Sequence, residues 1–256
     1  MKQAPNAQKY GNPLLAAAIF LPVSLATTAT IAADDGFDIP GEFSANVALT
    51  SDYRFRGISQ SSNDPALQGG IDYSIGVTEA VSFYAGLWGS NVDFNDGDQA
   101  SVEVDYYAGV TTEIQGVGID VGVIYYSYPG ASSGLDYDYF EGKIALGYSP
   151  IESVSFGIGY FFSPDYFGSS GTFHYPNAFV EFTPDLGLPL PVTLSATYGY
   201  SIIDDNAAFG ADDYQDWSVG ISTNYKIINL SLQYIDNDLD GPVGDPTVVF
   251  TVGASF

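Results

Sequence analysis

Cysteine is absent from the sequence, and histidine occurs once, at His174. Without cysteine, neither a disulfide framework nor a thiolate metal site can form. The sequence also has no glycine-rich phosphate loop, so nothing points to nucleotide or redox chemistry. These absences remove several large enzyme classes from consideration.

Basic residues are scarce as well. Six Lys and Arg stand against 31 Asp and Glu, and the formal net charge is −25. Nucleic acids and anionic membrane surfaces are therefore poor electrostatic partners. Acidic chains with few aromatic residues are often disordered, but aromatic residues make up 15% of this chain, so a folded protein is expected.

Long apolar runs are missing apart from LLAAAIFLPVSLA at residues 14–26. This run is short for a membrane helix, follows two lysines and precedes small residues. It is typical of a secretory signal peptide covering residues 1–33, with cleavage after Ala32 or Ala33. An uncleaved membrane anchor is the alternative.

What recurs instead is a segment of about ten residues in which apolar and polar side chains alternate, as in a β-strand with one apolar face. Breaks rich in Gly, Asp, Ser, Asn or Pro separate the segments. About twelve strands are predicted, at residues 43–55, 67–77, 82–92, 102–110, 117–127, 140–148, 154–162, 177–182, 192–200, 217–221, 228–234 and 247–256.

Short and long connections alternate along the chain, although the nominally short link at residues 183–191 is overlong. This pattern predicts an all-β, antiparallel up-and-down transmembrane barrel of about twelve strands. The barrel is expected over residues 43–256, after a short periplasmic segment at residues 34–42. A soluble β-sandwich or lipocalin-like barrel is the alternative, but aromatic residues at many strand ends favour the membrane.

The last segment, TVVFTVGASF, alternates up to a terminal Phe256. It resembles the C-terminal recognition signal of bacterial outer-membrane barrels. That resemblance implies contact with the barrel assembly machinery through this strand. We therefore expect an outer-membrane location, with both mature termini in the periplasm.

A narrower resemblance lies in TSDYRFRGISQ at residues 50–60, continued by Asp64, Pro65, Trp88, Ser90 and Asn91. These residues are similar to the opening motif of the TorF family of proteobacterial outer-membrane proteins, which are assigned as porins. The resemblance covers residues 43–94 and implies a barrel fold and an outer-membrane location.

Strand parity places one set of charged residues on the inner face of the barrel. The set is Asp52, Arg54, Arg56, Asp72, Glu103, Asp105, Glu141, Lys143, Glu181 and Asp216. These residues either pair with one another or form a constriction in which acids favour cations. The expected function is a porin-like channel for small polar solutes or ions, leaning towards cations. A non-conducting structural or surface-interaction barrel is the alternative.

Several aromatic residues are also predicted to point inward. They either line a track for solutes or simply fill space. They are Tyr84, Trp88, Tyr107, Tyr126, Tyr128, Tyr137 and Tyr139.

The outer connections are strongly acidic. Asp236, Asp238, Asp240 and Gly241 reproduce the opening of a calcium loop, but Thr247 stands where a bidentate glutamate is needed. Solvated loops, or weak Ca²⁺ or Mg²⁺ binding that bridges to lipopolysaccharide, both fit this pattern. No resident cofactor is expected.

An enzyme is not expected, and a lipid-active barrel enzyme is the least favoured alternative. Some barrel phospholipases use a histidine with a serine two residues later. Here Pro176 stands two residues after His174.

Overall fold

The computed structural model describes residues 40–97, 99–242 and 244–256. The predicted signal peptide at residues 1–33 lies outside the described residues, as does most of the predicted segment 34–42. No helix among the described residues is long and apolar enough to cross a membrane.

The described chain is built almost entirely from β-strands. The strands are β1 (Glu42–Thr50), β2 (Arg54–Phe55), β3 (Ile58–Ser59), β4 (Ala66–Gly76), β5 (Val81–Asn91), β6 (Val102–Ile114), β7 (Val117–Ser127), β8 (Tyr139–Ile151), β9 (Val154–Ser163), β10 (Phe173–Phe182), β11 (Thr193–Ile203), β12 (Tyr214–Tyr225), β13 (Ile228–Asn237) and β14 (Thr247–Ser255). A 3₁₀ turn at Phe167–Ser169 and helix α1 at Asn206–Phe209 lie in connections.

Twelve of these strands close an antiparallel barrel, in which β1 pairs with both β4 and β14. Each other barrel strand pairs with its neighbours along the chain, so the topology is up-and-down. Closure leaves no free sheet edge, as a lipid-facing sheet requires. The twelve-strand antiparallel barrel predicted from alternation is confirmed.

The two faces of the wall differ in chemistry. Outward side chains are apolar and exposed, as at Leu67 (61%) and Ile158 (58%), whereas inward side chains include most of the buried charged residues. Exposed aromatic residues lie towards both ends of the outer face: Tyr106, Phe140, Tyr160, Tyr198 and Trp217 towards one end, and Phe43, Phe83, Tyr148, Phe156, Phe182 and Tyr225 towards the other. This distribution is typical of a lipid-facing wall with two aromatic girdles.

One end of the barrel carries most of the long connections and is here called the loop end; the opposite end is the turn end. The overlong link after β10 lies at the turn end, as predicted. Several strands extend further than predicted: β10, β11 and β13 at the loop end, β6 and β8 at the turn end, and β12 at both ends.

The largest difference concerns the first strand, which was predicted to run to residue 55. It ends at Thr50, so the prediction that Asp52, Arg54 and Arg56 continue the inner face of this strand was wrong, although all three side chains are buried. Residues 51–65 leave the wall and are called the luminal loop below.

Candidate functional site

The luminal loop folds across the inside of the barrel at its loop end. Its short strands β2 and β3 form a hairpin joined by Arg56 and Gly57, which have φ angles of 48° and 82°. Positive φ at both central residues matches a type I′ hairpin turn. A Cβ at Gly57 would lie 2.9 Å from the Asp216 Cβ, so the tip of the hairpin presses against the wall.

Asp52 and Arg54 hold the loop in shape. The Arg54 Nε lies 2.5 Å from Asp52 Oδ2, and both side chains are buried. The hydroxyls of Ser59 and Ser61 donate to Asp52 Oδ1 over 2.7 and 3.2 Å. Arg54 also donates to the carbonyl of Gly57 over 3.1 Å. This internal network explains why the chain turns away from the wall after β1.

Tyr53 fixes one side of the loop to β6. Its side chain is fully buried, and its hydroxyl donates to Glu103 Oε1 over 2.8 Å. Its ring lies edge-on to Trp88, with 5.4 Å between the centroids. Burial raises the pKa of Tyr53 well above its usual value, and the charges of Glu103 and Asp105 raise it further, so the phenol stays protonated.

Arg56 fixes the loop to β8, on the opposite side of the barrel from β1. Strand β8 is five strands from β1 in one direction and seven in the other. The Arg56 Nη2 donates to both carboxylate oxygens of Glu141, over 2.8 and 2.7 Å. Its guanidinium carbon lies 4.7 Å from the Phe173 ring and 4.4 Å from the Tyr175 ring. Burial alone would lower the pKa of Arg56, but Glu141 raises it above the usual value, so the cation is retained.

A second charged group lies nearer the turn end. Lys143 Nζ is 3.0 Å from Asp120 Oδ2, and the Tyr84 hydroxyl donates to the other oxygen of Asp120 over 2.8 Å. On the neighbouring strands Tyr107 donates to Asp72.

The ten predicted lumen residues are therefore distributed over the luminal loop and the inner wall. Asp52, Arg54 and Arg56 belong to the loop, and the other seven lie on barrel strands. Eight of the ten are buried, and Asp72 and Glu181 are half-buried. Their placement agrees with the parity argument for the wall residues, whereas their role in a constriction stays a prediction.

The charged and hydrogen-bonded side chains inside the barrel, called the luminal network below, include two residues that the sequence analysis missed. Asp120 lies on β7 with the parity of Tyr126, and that signal alone could have identified it. Tyr175 donates to both oxygens of Asp216, over 3.1 and 2.9 Å, and no sequence pattern indicates that pairing.

The luminal network has more acids than bases. Arg54, Arg56 and Lys143 each form an ion pair with one carboxylate. Five acids have no described base within salt-bridge distance: Asp72, Glu103, Asp105, Glu181 and Asp216. An excess of negative charge in a lumen favours cations.

Inward aromatic residues at the loop end pack against one another. Tyr126 and Tyr139 stack with centroids 4.5 Å apart, and Tyr128 and Tyr137 both contact Phe94. These rings fill space beside the luminal loop, which favours the space-filling reading over a solute track.

In the acidic motif at the loop end, Asp236 and Asp238 are engaged by backbone groups. Asp236 Oδ1 accepts from the backbone nitrogen of Asn237, and Asp238 Oδ1 accepts from that of Gln215. Within the described part of the chain, no group of three His, Asp or Glu residues is placed to hold a metal ion.

His174 lies on the outer face of β10. Its Nδ1 is 2.6 Å from the Tyr160 hydroxyl, and its ring lies near Phe162. It therefore belongs to the aromatic surface of the outer wall.

The fold is that of outer-membrane porins and channels. The KdgM porin superposes with a TM-score of 0.52 at 9% identity over 83% of this chain and 98% of that one. The NanC porin gives 0.51 at 12% identity, over 83% and 98%. An outer-membrane channel from Pseudomonas putida F1 gives 0.51 at 10% identity, over 85% and 95%. At these identities the likeness concerns the fold.

The chain belongs to a bacterial family described as "Bacterial protein of unknown function (Gcw_chp)", whose model matches residues 34–256. None of the curated proteins matches the sequence.

Proposed function

We propose that the protein is an outer-membrane channel through which small polar solutes or ions diffuse, with a preference for cations. The observation that carries this proposal is the set of luminal acids that no described base neutralises. Porins of the same fold, although distant in sequence, make passive diffusion a reasonable mode of action.

The luminal loop sets the size of solute that the proposed channel passes. Tyr53 contacts β6, Arg56 contacts β8, and Gly57 contacts β12 and β13, so the loop touches well-separated parts of the wall. Solutes must pass beside this loop. We therefore propose a narrow path that admits ions and very small solutes.

The proposed orientation places the turn end and both mature termini in the periplasm. The acidic connections then face outward, where divalent cations could bridge them to lipopolysaccharide phosphates. Assembly through the last strand and the resemblance to the TorF porins at residues 50–60 belong to the same proposal. No catalytic role is proposed.

Solute flux into proteoliposomes tests the proposal. Vesicles that contain the refolded barrel should swell in an isosmotic pentose faster than in an isosmotic trisaccharide, because the luminal loop restricts passage by size. Protein-free vesicles provide the control, and heat-dependent gel mobility shows that the barrel is folded. A folded barrel that gives no swelling and no ion flux would contradict the proposal.

A non-conducting structural barrel is the second candidate. The complete burial of Tyr53 and the packing of Arg56 between aromatic rings favour it, since both show a tightly filled loop end. Absence of flux from a folded barrel would support this alternative.

A further inference from the structure

Asp105 is the most unusual acid of the lumen. It lies on β6, its exposed fraction is 0%, and neither carboxylate oxygen has a hydrogen-bond partner among the described residues. A buried carboxylate without partners is costly, because it has lost its hydration and gained nothing in exchange. Either a proton or a bound cation at this position removes that cost.

The walls beside Asp105 are aromatic. Trp88 on β5 and Tyr126 on β7 are its direct cross-strand partners, and both side chains are buried. Directly opposed residues in an antiparallel pair have Cβ atoms only about 5 Å apart. Asp105 thus lies between two aromatic residues on the inner face of the wall.

The charges around Asp105 are also mostly negative. Glu103 stands two residues earlier on the same strand face and accepts from Tyr53. Glu141 lies on β8, where Arg56 already engages both of its oxygens. None of the described bases pairs with Asp105, so no protein cation occupies this position.

The chemistry of the site narrows the choice of cation. Calcium needs six to eight oxygen ligands and magnesium a near-ideal octahedron, and no three acids among the described residues assemble such a cage. Aromatic faces attract cations that shed water easily. A single carboxylate beside two aromatic residues is therefore suited to a cation that carries one charge.

We propose that Asp105, with Trp88 and Tyr126 beside it, binds one weakly hydrated monovalent cation of the potassium or ammonium class inside the lumen. The site deepens the proposed channel function, on which its role in permeation rests. We place the entry of this cation on the turn-end side, where Asp72 on β4 is half-buried and accepts from Tyr107. The luminal loop covers the other side.

Thallium(I) quenching of tryptophan fluorescence measures this binding without any conductance. The chain has two tryptophans, and Trp217 is 38% exposed on the outer wall. The variant Trp217→Phe therefore leaves Trp88 as the only reporter, directly beside the site. Thallium(I) is a heavy-atom quencher with the size and hydration of potassium, and its nitrate is titrated at constant ionic strength against N-methylglucamine nitrate.

Saturable quenching is expected, with competition by potassium and by ammonium but not by calcium. In the Trp217→Phe background, Asp105→Asn should raise the half-quenching concentration about tenfold or more, since a charge-assisted contact of over about 1.4 kcal/mol is lost. Glu113→Gln, at the exposed turn end of the same strand, should leave it unchanged.

Linear, non-saturable quenching of the Trp217→Phe protein would overturn the inference even if Asp105→Asn failed to fold. Equal competition by calcium, or unchanged quenching in a folded Asp105→Asn variant, would overturn it too. Relief of quenching by ammonium alone would assign the site to ammonium ions, and relief by both ions to the wider class. A negative quenching result would not bear on whether the barrel conducts, which the flux experiment measures. The cation site and the channel function are therefore tested separately.

Discussion

Arg56 shows how one residue joins the luminal loop to the barrel. Its guanidinium combines an ion pair to Glu141 with contacts to the faces of several aromatic rings. A planar cation suits both tasks, whereas a lysine would offer a single point charge. The position at which the chain turns back is therefore also the position at which it is anchored.

Replacing Arg56 should lower the free energy of unfolding, because a buried carboxylate then lacks its counter-charge. Among the described residues, Arg56→Met leaves the buried Glu141 with the Tyr126 hydroxyl as its one remaining side-chain partner, over 3.1 Å. The expected loss in the free energy of unfolding is about 3–5 kcal/mol, measured by urea titration of the barrel in micelles.

A double variant separates the charge from the packing. Arg56→Met with Glu141→Gln should recover much of the lost stability, because the unpaired charge is gone. Lys226→Met, at an exposed turn, provides a control that also removes one base. Equal stability of Arg56→Met and the wild type would show that Arg56 does not anchor the loop.

At the scale of elements, the twelve barrel strands could be predicted because lipid and lumen impose opposite demands on alternate side chains. The luminal loop could not be predicted in the same way. Asp52, Arg54 and Arg56 continue the parity of β1, so alternation extends the strand through them. The available signal was the pair Arg56 and Gly57, a sequence compatible with a two-residue turn.

Cross-linking tests the position of the loop. The protein has no free cysteine among its described residues, and a Cβ at Gly57 would lie 3.0 Å from the Asn237 Cβ. Gly57→Cys with Asn237→Cys should therefore form a disulfide once the hairpin tip moves slightly away from the wall, because linked Cβ atoms lie about 3.5–4.5 Å apart. The φ of 82° at Gly57 adds backbone strain to this variant. Mass spectrometry of the oxidised, folded barrel detects the link.

The single-cysteine variants, oxidised in the same way, show whether any link forms between molecules instead. A folded double variant whose thiols stay free would contradict the placement of the hairpin against β13.

Removal of the luminal loop should widen the path. Thr50 and Ala66 are paired across β1 and β4, so a two-residue Asn-Gly turn can replace residues 51–65 without shifting the register. The unit conductance in planar bilayers should rise, because the loop crosses the lumen. Replacing residues 204–213 by a short turn provides a control at the same end. An unchanged conductance would mean that the constriction lies elsewhere.

At the scale of the whole molecule, charge is the property that the sequence reveals most directly. The composition shows the excess of acids, and parity places Glu103, Asp105 and Glu141 inward. Which acids find a base depends on contacts between distant strands and the loop, as in the pair of Arg56 with Glu141. Such pairings depend on three-dimensional packing, which a single sequence does not display.

Luminal acids should set the ion preference. Glu103→Gln with Asp105→Asn should lower the ratio of potassium to chloride permeability, because two unpaired charges leave the narrow region. Glu79→Gln with Glu152→Gln removes two charges from exposed turns and provides the control. A folded luminal variant with wild-type selectivity would remove these two acids from the constriction.

A barrel that conducts, and whose unpaired acids favour cations, has a measurable electrical signature. The most direct test is the reversal potential of the refolded mature protein in a planar bilayer under a potassium chloride gradient. Discrete conductance steps are expected, with a reversal potential of the sign that marks potassium as the more permeant ion. A reversal potential that marks chloride as more permeant, or a folded barrel without steps, would contradict it.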